Sequence, residues 1–196
     1  MRPSFKYVVC GAVFVFSLVA CDAGPGVAQH RPIPQVRVQL DAARNRVWLL
    51  TAEGVAIYEP AVPGRVLRVP LLGWQISGKP DGCVPDMALG PKGEAVIASD
   101  LVPVLLRVDP ETLAVTRYEL RLDDATGTDR DTGFTVLRYL SARGSYLAVS
   151  RQDGSIWRID RELRNAQRMG RLVVPQENDC GARATALVQQ LRVLDE

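Results

Sequence analysis

Proton transfer near neutral pH is usually the work of histidine, and this chain has one, His30. It sits within residues 22–34, a stretch with Gly and Pro and little apolar content that reads as a solvated tether. Acid–base chemistry therefore falls to carboxylates. The candidates are Asp81, Asp86, Asp100 and Asp179, with Arg138 and Arg183 as anion clamps. Asp86 stands just before the apolar run Met87-Ala88-Leu89, and Asp100 just after Ile97-Ala98-Ser99, so both mark ends of expected strands. An Asp at such a place equally holds a turn by bonding its own backbone, and no residue is assigned a catalytic role. Between Asp123 and Gly133 four carboxylates fall within eleven residues. Calcium takes about six to eight oxygen ligands, but this loop lacks the distal Glu of an EF-hand and sets Arg130 among its acids. It reads as a solvated connection, with Ca²⁺ a minor alternative to no cofactor and no metal. Phosphate-cradling glycine loops, paired CxxC motifs and nucleophile elbows are absent from the sequence.

Such residues need a scaffold, and the composition describes a globular one. The chain has 196 residues, 47% hydrophobic, 23% charged and 6% aromatic, enough for one domain with a core and too balanced for disorder. Residues 1–20 read as an export signal: Arg2 and Lys6 form a basic end, and Val8 to Ala20 is almost wholly apolar yet short for a membrane span. Removing that leader takes away two bases and no acid, so the formal +2 becomes 22 bases against 22 acids. A neutral mature chain argues against nucleic acid as the main partner. Of the 22 bases, 20 are Arg.

The segment Leu18-Val19-Ala20-Cys21 resembles the lipobox of bacterial lipoproteins. That resemblance implies that Cys21 becomes the first mature residue and carries the acyl chains that hold the protein to a membrane. Each buried methylene contributes about 0.8 kcal/mol to such anchoring. A plain secretory peptide cut nearby, for instance after Ala28, is the alternative. Asp22 follows the cysteine, which resembles the signal that keeps enteric lipoproteins on the inner membrane. The expected location is the cell envelope, facing the periplasm. Cys10 leaves with the leader, so Cys83 and Cys180 remain. In an oxidising compartment they are expected to form a disulfide, whose closure of a loop of about 100 residues contributes about 4–5 kcal/mol at most.

Residues 35–196 repeat. One unit reads Val36–Asp41, Asn45–Thr51 and Gly54–Pro60; a second reads Asp86–Pro91, Gly93–Ser99 and Val104–Pro110; a third reads Arg138–Ser141, Gly144–Ser150 and Gly154–Asp160. Glu59, Asp109 and Asp160 close the units at spacings of 50 and 51, and Asn45, Gly93 and Gly144 mark the first tight turns at 48 and 51. Short β-prone runs separated by Asn, Gly and Asp-Gly turns spell antiparallel meanders. A fourth strand per unit is expected at Arg65–Leu71, Ala114–Leu122 and Ala166–Val174. Four strands every 50 residues or so describe a propeller blade, with another all-β stack or sandwich as the alternative.

The strings VIAS, LAVS and LLRVDPET, set between polar turns, are similar to bacterial propeller repeats of the YVTN and NHL-like type. The similarity covers about residues 36–174 and implies fold more than function. About three and a half units are expected, with residues 179–195 supplying two more strands. Trp48 and Trp157 sit on strands and read as packing; Trp74, between units, is the expected exposed aromatic and contact anchor. Two functions follow as expectations. One is a lipid-anchored binding or scaffolding protein of the envelope whose partner is another envelope protein or a second copy. The other is a small hydrolase, lactonase or quinoprotein-like enzyme with a carboxylate in its channel.

Overall fold

The computed structural model describes residues 37–51, 53–74, 85–123, 132–150 and 152–173, together with Gln189. All belong to the compact unit Pro32–Glu196. Among the described residues twelve strands form three antiparallel meanders, and a thirteenth adds to the third in parallel. Blade 1 is β1 (Arg37–Asp41), β2 (Arg46–Thr51), β3 (Gly54–Tyr58) and β4 (Val66–Pro70), paired in chain order. Blade 2 is β5 (Met87–Leu89), β6 (Ala95–Ala98), β7 (Val104–Val108) and β8 (Val115–Glu119). Blade 3 is β10 (Val136–Leu140), β11 (Ser145–Val149), β12 (Ser155–Ile159) and β13 (Asn165–Arg171), with β9 (Arg121–Asp123) added outside β13. The fold is all-β and propeller-like, as the repeats spell.

The turns hold the period. Asn45, Gly93 and Gly144 all have left-handed backbone (φ 49°, 80° and 60°), which closes the first hairpin of each blade. Leu113 and Leu163 also lie there (φ 59° and 58°), an unusual place for leucine. The aspartates that close units two and three hold them. The Asp109 carboxylate accepts from the amides of Glu111 and Thr112, and Asp160 accepts from those of Arg164 and Asn165. These amide and hydroxyl donors hold the Asp109 carboxyl below the usual range.

Packing runs blade against blade. The inner strand β5 packs against β1 on one side and β10 on the other. Trp48, Leu50, Val55 and Ile57 of blade 1 meet Met87, Ile97, Leu106 and Val108 of blade 2 in one apolar seam. Ala88, Val96 and Leu105 of blade 2 meet Leu137, Tyr146, Trp157 and Ile159 of blade 3 in the second. A third, smaller cluster (Val136, Val149, Ile156, Leu172) lies on the far face of blade 3.

Each blade thus has a front face, turned toward the next blade, and a back face, turned toward the one before. The registers show that the back faces repeat. Cross-strand rows read Val38-Leu49-Ala56-Arg68 and Leu40-Val47-Tyr58-Val66 in blade 1. They read Met87-Ile97-Leu106-Arg117 and Leu89-Ala95-Val108-Val115 in blade 2, and Leu137-Ala148-Trp157-Arg168 and Tyr139-Tyr146-Ile159-Ala166 in blade 3. Apolar residues fill every column except the last of the first row, where all three blades place arginine.

One expectation is corrected. Residues 114–122 do not form one strand, because the chain breaks register at buried Leu120. That residue's amide bonds to the Pro103 carbonyl at 2.9 Å, and the Arg121 amide to Arg164 at 2.8 Å. The second half, β9, thereby leaves blade 2 and runs parallel to β13 of blade 3. The tail expected to supply two more strands lies outside the described residues, Gln189 apart.

Candidate functional site

The end of β6 gathers three residues that the sequence singles out, Asp86, Asp100 and Trp74. Asp86, 5% exposed, precedes β5, and its carbonyl accepts from the Ala98 amide. Asp100 follows β6 and is equally buried. Trp74 reaches the same place from the end of blade 1, donating its indole N–H to the Ala98 carbonyl at 2.9 Å. It is half-buried against the first seam, where the sequence reading expects it exposed, and it caps a strand end. Gly133 presses on Asp100 from blade 3. A Cβ there would stand 1.9 Å from the Asp100 carbonyl carbon, so only glycine fits. The neighbouring Phe134 amide bonds to the Ser99 carbonyl at 2.6 Å.

Asp86 is fully engaged. One carboxylate oxygen accepts from the Met87 amide at 2.9 Å. The other accepts from the Leu137 amide at 3.2 Å and from the Arg138 guanidinium, which also donates to the Leu137 carbonyl at 2.7 Å. Two of these partners lie on β10, so the carboxylate ties blade 2 to blade 3 at their inner strands. On the other side, the Gln39 side-chain amide on β1 donates to the Met87 carbonyl at 3.0 Å. Polar side chains of the inner strands therefore join blade to blade. Arg138, expected as an anion clamp, does clamp an anion, but the anion is the protein's own Asp86.

Arg37 was not singled out by its sequence context. It opens β1, and its Nε and Nη2 atoms are buried with no hydrogen-bond partner among the described residues. A desolvated guanidinium of this kind suits a carboxylate or phosphate oxygen. The repeated arginines Arg68, Arg117 and Arg168 were missed as well, although their spacings of 49 and 51 match the period of the turns.

A second polar constellation lies in blade 3. The Asp153 carboxylate accepts from the Ser155 hydroxyl at 2.6 Å and amide at 3.0 Å, and pairs with Arg168 and Arg171 at 3.2 and 3.1 Å. The Ser155 oxygen in turn accepts the indole N–H of fully buried Trp157 at 2.7 Å. Burial pushes the Asp153 carboxyl up, but the Ser155 donors and the two arginines outweigh it and hold the group below its ordinary value. Toward the other end of β12, an open groove of about 910 Å³ runs past Arg143, Arg158, Asp160 and Gln167 and contains none of the sequence candidates.

Asp81, Asp179, Arg183, Cys21, Cys83 and Cys180, and the acidic loop beyond Asp123, lie outside the described residues. Among the described residues no group of three or more His, Cys, Asp or Glu is placed to hold a metal, and no helix is long and apolar enough to cross a membrane.

No family model matches the chain, and no curated protein does. Similar solved structures include a protein of unknown function from Bacteroides thetaiotaomicron, with 19% identity over 66% of this chain and 31% of that one and a TM-score of 0.45. Glutaminyl cyclase from Myxococcus xanthus is similar over 80% of this chain and 55% of its own, at 16% identity and a TM-score of 0.41. Virginiamycin B lyase from Staphylococcus aureus is similar over 75% and 58%, at 12% identity and a TM-score of 0.43. This chain thus spans less than two thirds of each. All three are likenesses at low identity, and none carries chemistry to this chain.

Proposed function

We propose that this chain is a lipid-anchored protein of the bacterial envelope whose propeller-like domain binds or scaffolds a partner protein. The observation that carries the reading is the Asp86 clamp. The best-placed carboxylate has both oxygens occupied, one by the neighbouring Met87 amide and the other in holding two blades together, and Gln39 ties the other side. Side chains used in this way give broad, rigid faces, which suit recognition of a large partner. The lipobox-like segment at Cys21 and the Gly- and Pro-containing tether after it supply attachment and reach. Cys83 and Cys180 close the domain with a disulfide in this reading.

Growth of the expressing bacterium with a clickable palmitate analogue tests the anchor. The wild-type chain is expected to take up label and sediment with membranes, and Cys21→Ser to lose both. Label retained in the variant, or a wild-type chain that is unlabelled and soluble, overturns the reading. A mobility shift on reduction, lost in Cys83→Ser, tests the disulfide.

A further inference from the structure

We infer that Arg37 forms a binding site for one small oxyanion, a carboxylate or a phosphate group, at the start of inner strand β1. The inference goes beyond the anchoring and scaffolding proposed above and does not rest on them. Arg37 is half-buried on the front face of blade 1, at the end of the cross-strand row Arg37-Leu50-Val55-Val69. Its three row partners are 0%, 3% and 5% exposed, so a permanent cation closes a dry apolar row. Its Nε and Nη2 atoms are shielded from solvent, and neither has a hydrogen-bond partner among the described residues. Bulk water therefore does not satisfy them.

The two atoms belong together chemically. Nε and Nη2 carry the parallel N–H bonds of one edge of the guanidinium, the edge that takes two oxygens of a carboxylate or phosphate side-on. A buried charge without a counterion is costly, and proteins pair such groups. The repeat shows what pairing at this position looks like. Arg37, Asp86 and Val136 each stand one residue before the aligned Val38, Met87 and Leu137, so they occupy one position in the three blades. The Asp86 carboxylate is satisfied across its seam by Leu137 and Arg138. Arg37, at the same place in blade 1, finds no such partner across its own seam among the described residues.

The chemistry of the edge sets the ligand class. Charge complementarity calls for an anion, and the paired donors call for two oxygens on one central atom. The shielded position calls for a group smaller than a protein surface. Asp86, the acid at the matching place on β5, does not fill the role, because its oxygens are taken by Met87, Leu137 and Arg138. The ion enters where the half-buried side chain borders solvent.

The test is equilibrium dialysis of the full chain, in a nonionic detergent, against radiolabelled inorganic phosphate and separately against radiolabelled acetate, at constant ionic strength. The wild type is expected to retain one ion per chain of one or both probes, and the tighter of the two names the source as phosphoryl or carboxyl. Arg37→Lys keeps the charge without the paired edge and is expected to bind at least about tenfold more weakly. Arg37→Gln is expected not to bind. Arg68→Gln, at an exposed arginine, is the control and should bind like the wild type. In buffer free of phosphate and carboxylate, Arg37→Gln should melt no lower than the wild type, since no internal partner is lost. A wild type that retains neither probe overturns the inference, and so does an Arg37→Gln chain that retains one. An Arg37→Gln chain that melts lower in that buffer has lost an internal partner and overturns it as well. Palmitate labelling of the same variants reads the anchor separately, so failure of the site and failure of the anchor are told apart.

Discussion

The two seams between blades hold similar apolar cores and fasten them differently. Between blades 2 and 3 the side-chain fastening is one buried point, the Asp86 carboxylate bonded to β10, beside the backbone links of Phe134 to Ser99 and of β9 to β13. Between blades 1 and 2 it is spread over several half-exposed links: Gln39 to Met87, Arg44 to Glu111, Arg46 to Pro110 and Arg117 to Gly73. Each seam also encloses one fully buried tryptophan. The Trp157 N–H is bonded to Ser155, whereas the Trp48 N–H has no partner among the described residues. Apolar burial is common to both seams, so the contrast isolates what polar groups add to it.

Removing the point fastening should have the largest effect. Asp86→Ala leaves the Leu137 amide without its acceptor in a buried setting, and is expected to cost about 3 kcal/mol. A chemical-denaturation midpoint within a few tenths of wild type would show that the second seam is held by its apolar core alone. The tryptophans come next. Trp157→Phe breaks a satisfied hydrogen bond, while Trp48→Phe deletes a donor that has none, so the first is expected to be less stable than the second by about 1 kcal/mol. Equal unfolding curves would remove the distinction.

Much of this was legible in the sequence and some was not. The period of about 50 residues, set by Asn45, Gly93 and Gly144, located the twelve meander strands to within a few residues, because turn chemistry is local. Asp109 and Asp160 were visible as unit ends for the same reason. The split at Leu120 was invisible, since 114–122 is uniformly β-prone and only long-range pairing to Arg164 decides which sheet its second half joins. Asp86 was legible as a candidate and illegible in its use, because its partners lie 51 and 52 residues away. Trp74 was misplaced because its neighbours look like a linker, while its indole finds a strand-end carbonyl 24 residues on.

Acid gives a finer test. With its carboxyl held below the ordinary value in the fold, Asp153 stabilises blade 3 fully above its unfolded pKa, near 4, and that contribution is lost as pH falls through the folded value. Asp153→Asn should flatten the loss of thermal stability below about pH 4 and leave its slope near neutrality unchanged. An unchanged acid limb would show that the Arg168 and Arg171 pairs add nothing. Smallest of all is Arg44→Ala at the first seam. With Glu111 68% exposed, that pair is expected to contribute about 0.5 kcal/mol or less, and a larger shift in melting temperature would mean that the spread links act together.

The strand β9 is three residues long, yet it alters how the molecule comes apart. Stacks of repeats that touch only their neighbours fray from the ends inward, because a terminal unit can open without disturbing the rest. Here the polypeptide leaves β8 and at once zips alongside β13, pairing Arg121, Leu122 and Asp123 with Asn165, Ala166 and Gln167. Peeling the outer edge of blade 3 therefore pulls directly on the outer edge of blade 2, and the two open as one cooperative unit. Blade 1, which has no such latch among the described residues, is left as the unit that breathes.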